Sequence, residues 1–219
     1  NRHETWANQA KPWIDYLARS SYLLQQGHNV ADVLYYYGED NCITGLFSWQ
    51  LPDIPSGYAF DYINADALTH LVSCHDNRLQ TPSGAHYRLL FLDKNAARMS
   101  LPVLRKIAAL VRQGAFVSGQ EPVEEPSLTG DKEEFRHLIH DIWHTNRPNV
   151  LVASRVEDAL KAMAVRPDVT CNDMSDLRFV HRTLPEAEIY WVGNMRPRQR
   201  IADIAFRVTG RRPRLCHPE

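Results

Sequence analysis

"VADVLYYYGEDN", residues 30–41, runs an apolar and aromatic stretch directly into Gly38, Glu39 and Asp40. From Val33 to Tyr37 no polar residue recurs at every second position. The run therefore reads as a strand covered on both faces, the kind that fills a parallel sheet. Two carboxylates at its end are either a ligand site or a solvated turn. The surrounding elements decide which.

Upstream, "KPWIDYLARSSYLLQQGHN" places Trp13, Tyr16, Leu17, Leu23 and Leu24 near helical spacing, with Pro12 suited to a first turn and Gly27 to a left-handed stop. A helix is expected over about 11–26. Downstream, residues 38–64 form a stretch rich in Gly, Pro, aromatics and acids with little periodicity. Structureless segments of that length are uncommon inside a domain and tend to be functional. Asn64 then suits the N-cap of a helix over "ADALTHLVS". Further on come a short strand, a Pro-Ser-Gly turn, and a buried strand from Tyr87 to Leu92. "SLPVLRKIAALVRQG" is the clearest helix: Ser100 should cap it, and Leu101, Leu104, Ile107, Ala108 and Val111 form one stripe. Gly114 should close it. The strand "AFVSG", the helix "KEEFRHLIHDIWHT", the apolar piece "NVLVA" and the helix "VEDALKAMA" follow.

Apolar strands alternating with amphipathic helices predict an α/β fold, a mostly parallel sheet with helices on both faces. From about Cys171 the pattern changes to strand-like pieces joined by Pro and Gly turns. These predict a small antiparallel β appendage at the C-terminus.

Composition narrows the function. Among 219 residues, 25 basic against 26 acidic side chains leave a net charge of −1, so no global field favours nucleic acid or anionic lipid. The basic clusters "NMRPRQR" and "TGRRPRL" lack interleaved aromatics and read as solvated turns. No run reaches 18 apolar residues, so no membrane-spanning helix is expected. Cys42, Cys74, Cys171 and Cys216 have neither zinc-site nor disulfide-framework spacing, which leaves a single bridge open. The chain starts "NRHETW", without Met or a charged-then-apolar leader, as a processed protein or a segment of a longer one would.

Several chemistries lack their residues. "YRLLFLD" is followed by "KNAARMS", so the strand-end nucleophile elbow of amidotransferase-like folds is missing. No GxGxxG follows the first strand, and no GxxxxGK[ST] occurs. His137, His140 and His144 share a helical face, but Leu138 stands where a metalloprotease needs Glu. They read as a solvated face, and no metal site is assigned. Carboxylates are the stronger candidates. Glu39 and Asp40 sit at a strand's carboxyl end, where open α/β sheets bind ligands. Asp53 and Asp61 accompany Trp49, Tyr58, Phe60 and Tyr62. Acids beside aromatic faces suit sugars, because carboxylates grip vicinal hydroxyls while rings cover the C–H side. The same composition also serves simple packing.

Together "TWANQAKPW", "YLLQQG" with "YYYGED", and "GYAFDYIN", followed in order by "YRLLFLD", "MSLPVLRKIAALVRQGAFVSG" and "LRFVHRTLPEAEIYWVGN", resemble the α-L-rhamnosidases of glycoside hydrolase family 106 over almost the whole chain. The resemblance implies large enzymes that remove terminal α-L-rhamnose from glycans or glycosides with inversion. One carboxylic acid would protonate the leaving oxygen and a carboxylate would activate water. It also implies a (β/α)8 catalytic barrel with an associated calcium ion.

Such a barrel takes about 250 residues, so most of it would lie outside this chain. No catalytic acid or base is expected here. By the resemblance, residues 1–28 are the barrel's terminal helix. Residues 29–170 are an α/β domain like the flavodoxin-like or class I glutamine-amidotransferase-like three-layer sandwiches. Residues 171–219 open a β domain. Glu39, Asp40, Asp61 and Asn64 are then expected to contact substrate or order its loop, with Trp6 near the barrel rim. The expected partners are a rhamnose-containing glycan or glycoside and the absent barrel. The chain alone should not hydrolyse anything. A non-catalytic carbohydrate-binding or interaction module is the alternative, and a hydrolase using Cys42 or the pair Glu39 and Asp61 is a third.

Overall fold

The computed structural model describes residues 4–40 and 52–216. Five strands form an all-parallel sheet: β2 (Val33–Tyr36), β3 (Phe60–Ile63), β7 (Leu89–Leu92), β8 (Phe116–Gly119) and β9 (Val150–Leu151), in spatial order β3-β2-β7-β8-β9. Counting these five along the chain, that order is 2-1-3-4-5, the flavodoxin-like winding. Every residue of β2 and of β7 is buried, because helices cover both faces.

On one face Leu34, Tyr36, Leu90, Leu92 and Val117 pack under α2 (Ala65–Leu71), α3 (Leu101–Arg112) and α4 (Lys132–Trp143). On the other, Val33, Tyr35, Leu89 and Phe91 meet α5 (Val156–Ala162). Each strand thus sends alternate residues to opposite cores. The stripe expected on α3 is buried along its length, and Gly114 ends that helix at φ +94°.

Asp131 caps α4 by accepting hydrogen bonds from the backbone N–H groups of Glu133 and Glu134. At that helix's other end Asp141 accepts from Arg147 at 2.5 Å and Arg112 at 3.3 Å, tying α4 to α3. The Arg147 hydrogen bond outweighs partial burial, so the Asp141 carboxyl stays ionised below its ordinary pKa of 3.8. A depressed folded-state pKa gives stability that is complete above pH 4 and disappears as pH falls through the folded value. Acid titration of the unfolding midpoint should therefore show a loss below about pH 4. Asp141→Asn should flatten it, and an unchanged slope in that variant would remove Asp141 from the account.

Three departures from the sequence reading follow. The segment 38–64 does not run free to its end: Phe60–Ile63 is the edge strand β3, paired in parallel with β2, so Asp61 lies on a strand. Local composition hid this, because the ladder partner is 27 residues away. Ser100 occupies the N-cap of α3, yet its side chain makes no capping bond. The helix predicted through Ser73 ends at Leu71, and Ser73–His75 starts the antiparallel sheet β4 (Ser73–His75), β5 (Arg78–Gln80) and β6 (His86–Tyr87).

Helix α1 (Lys11–Leu24) buries only Ser20, and Trp13, Ile14, Leu17 and Tyr22 are exposed. Its end is held by the C-terminal hairpin β11 (Leu177–Thr183) and β12 (Glu188–Asn194): Arg182 donates to the carbonyls of Gln26 and Gly27, both at 2.6 Å. β1 (His28–Asn29) adds to that hairpin as a third antiparallel strand. β10 (Val169–Cys171) and β13 (Ile204–Phe206) pair antiparallel beside it. Cys74, Cys171 and Cys216 are free thiols.

Candidate functional site

The sheet order reverses between β2 and β7, so the connections leaving their carboxyl ends run to opposite sides, and ligands bind at that point in this class of fold. Gly38, Glu39 and Asp40 follow β2 there, and Asp93 follows β7. Gly38 stands at φ +91°, and a Cβ on it would lie 2.7 Å from the carbonyl oxygen of Asn95. Only glycine lets the two strand ends approach so closely.

Each acid at this edge has a defined partner. Glu39 Oε2 accepts the backbone N–H of Ser100 at 2.7 Å. Its carboxylate thereby caps α3 from another element, at the end where unpaired N–H groups favour negative charge. Asp40 Oδ2 meets Arg98 Nη1 at 2.8 Å, and Arg98 Nε lies 3.4 Å from Glu124. Asp93 Oδ1 accepts from the Asn95 N–H at 2.8 Å, and its other oxygen accepts a hydrogen bond from the Tyr35 hydroxyl. Burial first, and then Asp93, push the Tyr35 pKa far above the usual phenol range, so Tyr35 remains a donor. The Tyr36 hydroxyl is buried with no partner among the described residues. Its pKa is likewise raised, by burial and then by Glu39.

The structure brings Glu39 and Asp40 together and places the other candidates elsewhere. Asp61 pairs in register with Leu34, and its Oδ2 accepts from Asn29 at 3.0 Å and Tyr87 at 2.9 Å. Both partners precede their parallel strands, so this carboxylate faces the amino edge of the sheet. Asn64 accepts the Ala67 N–H at 2.8 Å and caps α2. Trp6 is exposed, its indole N–H donating to Glu4 at 3.1 Å. Asp53 pairs with Arg155 at 3.3 Å. Trp49 and Cys42 lie outside the described residues.

The sequence reading missed Tyr35, Asp93, Arg98 and the backbone of Ser100. Asp93 carries the same signal as Glu39, an acid directly after a buried strand. The others are recognisable only once β2 and β7 are neighbours. His140 and His144 stack with ring centroids 5.8 Å apart on an exposed face of α4. Among the described residues no three His, Cys, Asp or Glu side chains converge as metal ligands. Among the described residues no such carboxylate cluster stands ready for a calcium ion.

Comparison with known proteins bears on the same 219 residues. The model of glycoside hydrolase family 106, described as alpha-L-rhamnosidase, matches residues 1–219. The solved structure of a rhamnosidase from Novosphingobium sp. PP1Y superposes with a TM-score of 0.89 and 42% identity, covering 96% of this chain and 21% of that one. A protein of Formosa agariphila named "Putative beta-glucuronidase" is 35% identical over 226 residues, covering all of this chain and 19% of its own length. The chain spans about one fifth of each relative. It belongs to glycoside hydrolase family 106, the family of α-L-rhamnosidases.

Proposed function

We propose that this chain is the accessory α/β part of a glycosidase that removes terminal α-L-rhamnose with inversion, and that it is inactive alone. The exposed apolar face of α1 carries this reading. Trp13, Ile14, Leu17 and Tyr22 are 58%, 58%, 43% and 66% exposed, and Trp13 stacks on Tyr16 at 5.7 Å. Contiguous aromatic and aliphatic surface of this kind marks an interface. Relatives five times longer supply protein to cover it. Residues 1–28 would belong to the catalytic barrel, 29–170 to the domain beside it and 171–219 to a following β domain. The family's calcium ion would then be held by the barrel.

In this reading the carboxyl edge of the sheet faces the sugar site. Glu39 and Asp40 hold spare acceptor capacity beyond their Ser100 and Arg98 bonds, and they contact substrate or fix the loop that does. Asp61, Asn64 and Trp6 act by shaping the surrounding elements. The general acid and base come from outside this chain. A second reading, in which the parent acts on β-glucuronides, draws support from the name of the Formosa relative.

The test compares the isolated chain with the longer protein on 4-nitrophenyl α-L-rhamnoside and 4-nitrophenyl β-D-glucuronide. The longer protein should turn over the rhamnoside and release β-L-rhamnose first, as seen by NMR. The isolated chain should release nothing. Turnover by the isolated chain would end the accessory reading, and glucuronide preference would favour the second. Within the longer protein, Glu39→Gln should lower kcat/KM about tenfold, roughly the worth of one charge-assisted hydrogen bond, with the fold intact. Unchanged kinetics would leave Glu39 as a helix cap alone.

A further inference from the structure

At the amino edge of the sheet, below β2 and β7, lies a cleft of about 430 Å³ closed on one side by the β11–β12 hairpin. That volume is in the range of small-ligand sites. Its chemistry is assembled from five distant parts of the chain. Asp32, only 2% exposed, accepts from Arg88 Nε at 3.0 Å and from Arg207 Nη2 at 2.9 and 3.0 Å. Asp168 takes a His181 ring nitrogen at 2.7 Å, and Glu188 takes the other at 3.0 Å.

The donors in this cleft are not all used among the described residues. Three guanidinium groups, Arg78, Arg88 and Arg207, line it with three carboxylates, of which Asp32 holds Arg88 and Arg207 while Asp168 and Glu188 hold His181. Arg207 is fully engaged, donating also to the Arg166 carbonyl at 2.6 Å and lying 3.6 Å from Asp168. Arg88 is not: its Nη1 and Nη2 have no partner among the described residues, and neither has the side chain of Arg78. Burial, followed by repulsion from Arg78 and then Arg207, lowers the Arg88 pKa. A second oxyanion placed against Arg78 and Arg88 would relieve that repulsion, and a guanidinium fork matches carboxylate or sulfate geometry.

The cleft is larger than a bare oxyanion requires. Across from the arginines, Glu188 uses one lone pair on each oxygen, towards Thr183 at 3.2 Å and His181. Its remaining acceptor capacity suits a sugar hydroxyl.

We propose that this cleft binds an acidic saccharide, its carboxylate or sulfate resting on Arg78 and Arg88 and a ring hydroxyl reaching Glu188. Rhamnose has no ionisable group, so the site takes a different unit of a glycan. The oxyanion requirement follows from the arginines alone, whereas the saccharide requirement rests on the glycosidase reading above.

Calorimetric titration of the chain with D-glucuronate, D-glucose 6-sulfate, D-glucose and sodium sulfate tests the proposal. At least one of the two sugar anions should bind ten times or more tightly than glucose, and more weakly as salt rises. Arg78→Ala, at an exposed position outside the Asp32 network, should weaken that binding at least tenfold and leave the melting temperature unchanged. Absence of saturable binding by both sugar anions would overturn the proposal, as would equal binding of glucose or an unaffected Arg78→Ala variant. Sulfate binding as tightly as the sugar anions would overturn the saccharide assignment. None of these results depends on rhamnoside hydrolysis, so failure here is separable from failure of the catalytic reading.

Discussion

Replacing Asp32 with alanine should be the most damaging single change in the polar part of the fold. The carboxylate is almost wholly buried and neutralises Arg88 and Arg207, which approach it from residues 56 and 175 positions away. Removing one partner of a buried ion pair leaves uncompensated charge and costs about 3–5 kcal/mol. The lower end, about 3 kcal/mol, applies here because the Arg88 side chain is 34% exposed and stays partly hydrated. For a chain of this size that corresponds to a fall of roughly 6–12 °C in melting temperature. Asp32→Asn, which keeps the shape and loses the charge, should fall between the wild type and alanine. A loss under about 1 kcal/mol, as for a surface pair, would mean that water replaces the carboxylate and that the network does not hold the hairpin to the sheet.

The second large effect is expected at Gly38. Its φ of +91° is a conformation that L side chains rarely adopt, and an added Cβ would press on the Asn95 carbonyl at 2.7 Å. Strained backbone of this kind costs about 1–3 kcal/mol. The opposing atom is backbone, so Gly38→Ala should sit near the top of that range. The displaced loop would also pull Glu39 away from the Ser100 N–H. Gly210 provides the comparison: it has φ +70° with nothing within 4 Å of a built Cβ. Gly210→Ala should therefore show the conformational cost alone, about 1 kcal/mol. Equal losses for the two variants in denaturant titrations would show that the contact with Asn95 contributes nothing.

Both effects arise where the chain returns to itself from far away, and the legibility of the sequence follows the same division. The α/β class, the buried strands at Val33–Tyr36 and Leu89–Leu92, and α3 with its apolar stripe were readable because each declares itself within a dozen residues. The C-terminal change to antiparallel strands was readable too, although it begins at Val169 rather than at Cys171. Strand β3 was not readable. Its four residues alternate in a way that aromatic-rich loops also show, and only pairing with β2 makes them a strand. The N-cap of α3 misled for a related reason. Ser100 has the right type and position, yet its side chain makes no capping bond, and its own N–H is held by Glu39, 61 residues earlier.

Of the candidate site residues, Glu39 and Asp40 could be placed from sequence at a strand's carboxyl end. Their neighbours Asp93 and Arg98 come to them through the strand order, which no local pattern encodes. Asp61 shows the limit of composition: it shares a motif with aromatic residues, yet its hydrogen bonds turn it toward the opposite edge.

What the amino-acid sequence determined by itself was therefore the kind of layers, most of their positions and the family. Periodicity, turn residues and short motifs are local properties that survive without coordinates. What the tertiary structure alone decided was which charges meet. Asp32, Arg88, Asp168, His181 and Arg207 are scattered over 176 positions, and the energy of their association appears only when folding removes the water between them. Burial, and not spacing, turns those five ordinary polar residues into one network.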